Sequence, residues 1–122
     1  MTRPIGIAIL GSTGTVGEAA LDVIARNVDR FRVVAIAGGR NIEKLRAQAV
    51  TFRPEFVASA DDGSEALTIA ATWPSADRVL VATPGLTALR ATFSAALAGK
   101  SLAIASKEIL VVAGKLLLKE AR

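Results

Sequence analysis

Short apolar runs, the first two closed by glycine, alternate along this chain with stretches in which apolar residues recur at helical spacing. The runs predict five buried strands, at 5–10, 32–37, 56–59, 78–82 and 102–105. The spacing between them predicts helices over 15–27, 42–53, 64–72 and 86–97, and a further one from Lys107. Because no two runs are joined by a hairpin signal, the alternation predicts an α/β fold, a Rossmann-like doubly wound parallel sheet covered by helices on both faces.

The same periodicity predicts which helical residues face the core and where the helices begin and end. In the first helix the predicted inner positions are Val16, Ala20, Val23, Ile24 and Asn27. In the fourth they are Leu86, Leu89, Phe93, Ala96 and Leu97, with Gly99 just past the helix end. Asn41 and Ser64 are the predicted N-caps of the second and third helices.

Length and composition limit both the fold and the chemistry. The 122 residues suit one domain, and 52% of them are hydrophobic. Cysteine and histidine are both absent, which excludes disulfides, thiolate or imidazole metal sites, cysteine nucleophiles and Ser-His triads. Helical spacing continues over 115–122 without a stop signal. We therefore expect this ending to be a cut and not a natural domain end; the resemblance described below implies that the chain is the N-terminal part of a larger multidomain enzyme.

The formal net charge of +4 comes from basic residues that are spread along the chain. With only 4% aromatic residues to stack on bases, we expect an anionic small ligand and no nucleic acid. No apolar run is long enough to cross a bilayer, and the first residues do not form a signal or transit peptide. We therefore expect a cytoplasmic protein without a membrane partner.

A glycine loop with the spacing G-x-x-G-x-x-G follows the first predicted strand and opens the first helix. Gly11 permits the tight turn, Gly14 lets a phosphate approach the backbone, and Gly17 lets the helix pack closely. The unpaired N–H groups of the first helical turn then attract a diphosphate. Additional hydroxyl donors come from Ser12, Thr13 and Thr15. The alternative is a glycine-rich turn without a ligand; a P-loop is disfavoured because no G-K-[ST] ends the motif.

Two further loops carry candidate chemistry at the same edge of the predicted sheet. The second strand ends in Gly38-Gly39-Arg40-Asn41, without the acid that usually accepts the ribose 2′-OH of NAD. Arg40 would attract a 2′-phosphate instead, which predicts NADPH; otherwise it is an ordinary surface arginine. The fifth strand is followed by Ser106-Lys107-Glu108. One interpretation is that the Lys-Glu pair holds an anionic substrate and orients a cofactor; the alternative is an exposed ion pair without a ligand.

Together these segments resemble the N-terminal domain of the 1-deoxy-D-xylulose 5-phosphate reductoisomerase family. That family has a glycine loop like 11–17, an A-G-[KR]-N loop like 38–41 and an A-G-K segment like 98–100. Its A-N-K-E-S-L-V and A-G segments resemble 105–111 and 113–114. The glycine loop is shared with other reductases, and the Lys-Glu segment is the specific part of the resemblance.

The resemblance implies a role for each matching residue. Thr13, Gly14, Thr15 and Val16, with Gly11 at the turn, contact the cofactor diphosphate. Gly39, Arg40 and Asn41 hold the 2′-phosphate end. Ser106 and Glu108 lie on the nicotinamide side, and Lys107 touches the substrate. No catalytic residue and no metal ligand is expected within this chain.

The implied reaction is an early step of non-mevalonate isoprenoid biosynthesis. Metal-bound 1-deoxy-D-xylulose 5-phosphate rearranges to an aldehyde, which NADPH reduces to 2-C-methyl-D-erythritol 4-phosphate. The complete enzyme is expected to be a homodimer that acts on a phosphosugar and uses a divalent metal (Mg, Mn or Co). The 122-residue chain alone is expected to be inactive.

The chain departs from the family pattern in two places. Ser106 replaces an asparagine, and the stretch at 60–64 is shorter, which predicts a missing segment there. Two other functions stay open from the sequence. One is an NADPH-dependent semialdehyde or acyl-phosphate reductase, which needs a cysteine that this chain does not contain. The other is a non-catalytic NADPH-sensing module.

Overall fold

Five parallel strands form one sheet in the computed structural model, which describes residues 3–112. The strands are β1 (Ile5–Leu10), β2 (Phe31–Ala37), β3 (Phe56–Ala58), β4 (Arg78–Val81) and β5 (Ser101–Ile104). The helices are α1 (Thr15–Ala25), α2 (Ile42–Phe52), α3 (Ser64–Ala71), α4 (Leu89–Leu97) and α5, described over 107–112. The sheet order β3-β2-β1-β4-β5 confirms the predicted doubly wound topology.

The two faces of the sheet are packed by different kinds of side chain. On one face, α1 and α2 place Leu21, Ile24 and Leu45 against Ile9 and Ile36. On the other face, α3, α4 and the N-cap residue of α4 contribute mainly alanines, which are almost completely buried: Ala66, Ala70, Ala71, Ala88, Ala91 and Ala95. Small side chains allow helices to pack closely on a sheet, and on this face the larger core side chains come mainly from the strands, such as Leu10, Val79 and Val81.

This alanine packing explains why the predicted inner stripe of α4 is wrong in part, although Leu89 packs against the core as predicted. Leu97 is 90% exposed and Leu86 is 50% exposed, while Ala91 and Ala95 face the core. The stripe predicted for α1 is wrong in part, because Val16 and Val23 are exposed. Ile24 is buried as predicted, whereas Leu21, which was not predicted to face the core, is buried beside it on the face where Gly17 contacts the preceding loop.

The predicted cap of α2 and the predicted end of α4 are confirmed, whereas α4 begins three residues later than predicted, at Leu89, and α1 ends two residues earlier, at Ala25. The Asn41 side chain accepts the Lys44 N–H at 3.1 Å, and Gly99 follows α4 with φ +79°. The prediction of Ser64 as N-cap is wrong, because Gly63 takes that position and Ser64 begins the helix. Ser59 instead caps a short 3₁₀ turn (Ala60–Asp62), and the Asp62 carboxylate accepts a hydrogen bond from the Ser59 N–H. The predicted helix over 115–122 and the motif at 113–114 lie outside the described residues.

The amino edge of the sheet carries a cluster of paired polar groups around Glu55. Its carboxylate accepts hydrogen bonds from the Ser75 hydroxyl at 2.6 Å and from the Trp73 indole at 2.8 Å. It also accepts one from the Arg32 guanidinium at 2.9 Å. These hydrogen bonds, that of Ser75 first, lower the pKa of Glu55 from its ordinary 4.5 to about 2.

Nearby, Asp77 accepts from the Gly6 N–H at 2.8 Å and pairs with Arg3 at 3.1 Å. Among residues 3–112 there is no helix with the length and apolar character needed to span a membrane.

Candidate functional site

A cleft of about 310 Å³ opens at the carboxyl edge of the sheet. It lies where the chain, having run outward from β1 to β3, returns to β4 on the other side of β1. Ligands of open α/β sheets bind in the crevice at such a reversal. Its lining residues are glycine, alanine, serine, threonine, proline and leucine, with no charged side chain. Any preference of the cleft for an anion must therefore come from backbone groups and from charges at its border.

The three glycines of the loop after β1 have three different structural roles. Gly11 has φ +92°, and a Cβ there would lie 2.8 Å from the Ala82 carbonyl carbon. A Cβ at Gly17 would lie 2.1 Å from the Gly11 oxygen, so this glycine packs α1 on the loop itself. A Cβ at Gly14 would meet only the Gly11 oxygen, at 3.6 Å. Gly14 thus leaves open space in front of the backbone, where the sequence predicts a phosphate.

The first turn of α1 presents backbone donors at this open space. Gly14 is the N-cap, and no side chain caps the helix. The N–H groups of Thr15 and Val16 have no acceptor among the residues that the structure describes. Unsatisfied donors at a helix N-terminus, together with the helix dipole, bind anions such as a diphosphate.

The hydroxyl groups of the loop are used in different ways. The Thr13 hydroxyl accepts the Gly39 N–H at 3.1 Å, which joins the loops after β1 and β2 and leaves its own proton free. The expectation that Ser12 adds a donor to the cleft is wrong. Ser12 is fully buried, does not line the cleft, and its hydroxyl has no partner within the described part of the chain.

The loop after β2 presents Arg40 at the border of the cleft. Its backbone is fixed on both sides, because the Gly39 oxygen accepts the Ala60 N–H at 3.2 Å and Asn41 caps α2. The Arg40 side chain is exposed and forms no ion pair with any residue of 3–112. No acid follows β2 before Glu43. The guanidinium is therefore available to an anionic ligand.

Ser106 is held by protein contacts at the end of β5. Its hydroxyl lies 2.9 Å from the Gly85 oxygen and accepts the Ile109 N–H at 3.3 Å, which caps α5 and joins it to the loop after β4. Glu108 lies 3.2 Å from the same hydroxyl. Lys107 and Glu108 are exposed and form no ion pair with each other.

The structure gathers only some of the sequence-predicted site residues in the cleft itself. Gly11, Thr13, Gly14 and Gly39 line it. Thr15, Val16, Arg40 and Asn41 do not line the cleft but adjoin lining residues in the sequence. Ser106, Lys107 and Glu108 are not among the residues that line the cleft.

Two groups of lining residues were missed by sequence reasoning. Thr83 and Thr87 follow β4, and the position of Thr83 at a strand's carboxyl end was a usable signal. Ser59, Ser64 and Leu67 come from the connection between β3 and α3 and from α3 itself. The spacing Ser59-x-x-Asp62, a capping-box pattern, was a usable signal for the short 3₁₀ turn here, but it does not show that the turn lies beside the cleft.

Comparison with known proteins relates this site to one family. The family model for 1-deoxy-D-xylulose 5-phosphate reductoisomerase matches residues 7–64 and 60–114. The reductoisomerase of Thermomicrobium roseum is 42% identical over 126 aligned positions, which cover 93% of this chain and 33% of the relative. That of Nitrosomonas europaea is 35% identical over 143 positions, which cover 100% of this chain and 35% of the relative.

A solved structure of DOX-P reductoisomerase in complex with NADPH, fosmidomycin and magnesium superposes with a TM-score of 0.84 at 32% identity. The superposition covers 94% of this chain and 33% of that one. This chain thus spans about a third of the length of its relatives. The two matched segments meet at 60–64, and the Nitrosomonas europaea alignment extends over 143 positions although this chain has 122 residues.

Proposed function

This chain belongs to the 1-deoxy-D-xylulose 5-phosphate reductoisomerase family, and from that premise we propose that it is the NADPH-binding part of such an enzyme. The complete enzyme would convert 1-deoxy-D-xylulose 5-phosphate to 2-C-methyl-D-erythritol 4-phosphate in isoprenoid biosynthesis. The observation that carries the proposal is the open, glycine-lined cleft beside the unpaired N–H groups of α1.

The cleft fits a dinucleotide at two points. The backbone from Thr13 to Val16 would hold the diphosphate, because Gly14 leaves room and α1 supplies donors. Gly39, Arg40 and Asn41 would hold the 2′-phosphate end, where a guanidinium is available and where no acid follows β2 before Glu43. When bound, NADPH supplies the hydride, while these residues bind and orient the cofactor.

The loop at the end of β5 is proposed to serve the nicotinamide side. Because the Ser106 hydroxyl is engaged with Gly85, its contribution would be to fix this loop beside the cleft. Glu108 would contact the cofactor and Lys107 the substrate, since both side chains are exposed next to that fixed point.

The remaining chemistry is proposed for parts that this chain does not contain. Among residues 3–112 no three carboxylates, histidines or cysteines lie together in a metal-binding cluster. We therefore assign no metal ligand here, and propose that the complete enzyme holds Mg, Mn or Co elsewhere. We also propose that it acts on a phosphosugar as a cytoplasmic homodimer, and that the 122-residue chain alone has no turnover.

Cofactor titration tests the proposal. The chain should bind NADPH more tightly than NADH. Binding of either cofactor is measured by the fluorescence of its reduced nicotinamide. Arg40→Asp should weaken NADPH binding by about ten- to a hundredfold, because a hydrogen bond to a charged group contributes about 1.5–3 kcal/mol, and should narrow or reverse the preference. Arg46→Asp is the matched control, since Arg46 is an exposed arginine on α2 outside the cleft lining. Equal wild-type affinity for both cofactors would contradict the proposal.

A further inference from the structure

The backbone carbonyl groups of the glycine loop all point to donors within the protein. The Gly11 oxygen accepts the Gly14 N–H at 3.2 Å. The Ser12 oxygen accepts the Gln48 side-chain amide at 2.8 Å. The Thr13 oxygen lies 3.5 Å from the Lys44 ammonium nitrogen. Three successive carbonyls are thereby engaged by protein donors, while N–H groups are left for the cleft.

Two of these donors come from one face of α2. Lys44 and Gln48 are one helical turn apart, so their side chains lie side by side. Gln48 is only 9% exposed, although it is a polar residue on an amphipathic helix. Its bond to Ser12 is buried. Such a bond is stronger than an exposed one, and its loss would leave a buried carbonyl unsatisfied.

Lys44 is itself held in place from the other side. It forms an ion pair with Glu18 in the first turn of α1. The pair joins α1 to α2, and the positive charge offsets a carboxylate that would otherwise lie near the anion-binding turn of α1. Gln48 and Lys44 of α2 therefore bind backbone carbonyls of the loop, and Lys44 also neutralises the Glu18 carboxylate beside it.

We propose that Gln48, with Lys44 beside it, is a positioning residue for cofactor binding. It holds the Ser12 carbonyl towards α2, so that the loop meets a diphosphate with N–H groups and not with carbonyl oxygens. Such preorganisation matters because a carbonyl turned towards a phosphate repels it and displaces a donor. This inference rests on the proposed function, since it concerns how the same loop binds the diphosphate.

The test compares three substitutions in the 122-residue chain by titration with NADPH and with NADH. Gln48→Met keeps the bulk and removes the donor. Gln48→Glu keeps the shape but places a carboxylate against the Ser12 carbonyl. Arg46→Met is the control on the exposed side of α2. Thermal unfolding of each variant shows whether the protein is folded at the titration temperature.

Gln48→Met should lower the affinity for both cofactors by the same factor, about three- to tenfold, which is the equivalent of one buried hydrogen bond. Gln48→Glu should weaken them further, whereas Arg46→Met should bind as the wild type does. A role in packing alone predicts the opposite order, because glutamate fits the glutamine site better than methionine does. Should Gln48→Glu not fold, Gln48→Met alone still decides the matter.

The possible results separate this inference from the function on which it rests. Wild-type affinity in folded Gln48→Met overturns the inference and leaves NADPH binding intact. A change in the ratio of NADPH to NADH affinity, as expected for Arg40, overturns it as well. If the wild-type chain binds neither cofactor, the proposed function fails and the inference fails with it.

Discussion

The two edges of the sheet use polar groups in opposite ways. At the amino edge, Glu55 is satisfied by Ser75, Trp73 and Arg32, and Asp77 by Gly6 and Arg3. At the carboxyl edge, the first N–H groups of α1 have no acceptor within the described residues, and Arg40 has no ion pair there. The amino edge thus stabilises the fold, while the carboxyl edge keeps binding capacity for a ligand.

The difference follows from the types of residue that the sequence places at each edge. Side chains with several donors or acceptors meet at the amino edge and pair with one another. The carboxyl edge is built mainly from glycine, alanine and small hydroxyl residues, and the N-cap of α1 is Gly14, which has no side chain to bond the helix donors. A site for an anion is thereby created by residues that leave backbone groups unpaired.

The largest expected effect concerns the packing glycine of the carboxyl edge. Gly17→Ala places a methyl 2.1 Å from the Gly11 oxygen, so α1 must shift. We expect a loss of about 2 kcal/mol in the free energy of unfolding, typical of overpacking, and loss of NADPH binding. Urea denaturation followed by Trp73 fluorescence measures the first effect, and cofactor titration measures the second.

Gly14→Ala separates the role of glycine in packing the helix from its role in leaving space for the ligand. The added methyl meets no protein atom closer than 3.6 Å, so the free energy of unfolding should change by less than about 1 kcal/mol. NADPH affinity should nevertheless fall, because the methyl occupies the space assigned to the diphosphate. Unchanged affinity in this variant would show that the ligand does not approach Gly14.

An intermediate effect on the free energy of unfolding is expected at Ser106. This residue lies at the carboxyl edge, but its hydroxyl already has hydrogen-bond partners within the protein. Ser106→Ala removes the cap of α5 and the bond to Gly85, and should cost about 1 kcal/mol. Ser101→Ala, at an exposed serine of β5, is the matched control. Equal unfolding midpoints for the two variants would contradict a structural role for Ser106.

The smallest effect, and a pH-dependent one, is expected at the amino edge. A carboxyl whose pKa is lower in the folded state stabilises that state above its unfolded pKa, and the stabilisation is lost as the pH falls through the folded pKa. For Glu55 this window runs from 4.5 to about 2. Glu55→Gln should therefore unfold at lower urea than the wild type at pH 7, with the difference shrinking below pH 4.5.

Glu43→Gln provides the control for this measurement, because Glu43 is exposed and has no ion pair in the described part of the chain. It should leave the difference between neutral and acidic pH as in the wild type. A Glu55→Gln effect that is constant from pH 7 to pH 3 would contradict the lowered pKa of Glu55.

Local signals in the sequence were enough for the strands, the glycine loop and the Asn41 cap. Each depends on a few neighbouring residues, such as an apolar run followed by Gly11. The inner face of α4 was not predictable in this way, because alanine packs against the sheet where leucine was expected. Gln48 carries no motif, and Glu55 gains its partners from three separate parts of the chain. Such contacts exist only after the sheet has formed.

The short connection at 59–63 has a consequence for folding. Closing a flexible loop reduces chain entropy, and each doubling of its length costs about 0.6 kcal/mol more. Here a capping box between Ser59 and Asp62 and a hydrogen bond from Ala60 to Gly39 fix the connection locally. The crossover from β3 to β4 should therefore form with a smaller entropy loss than a longer, flexible one.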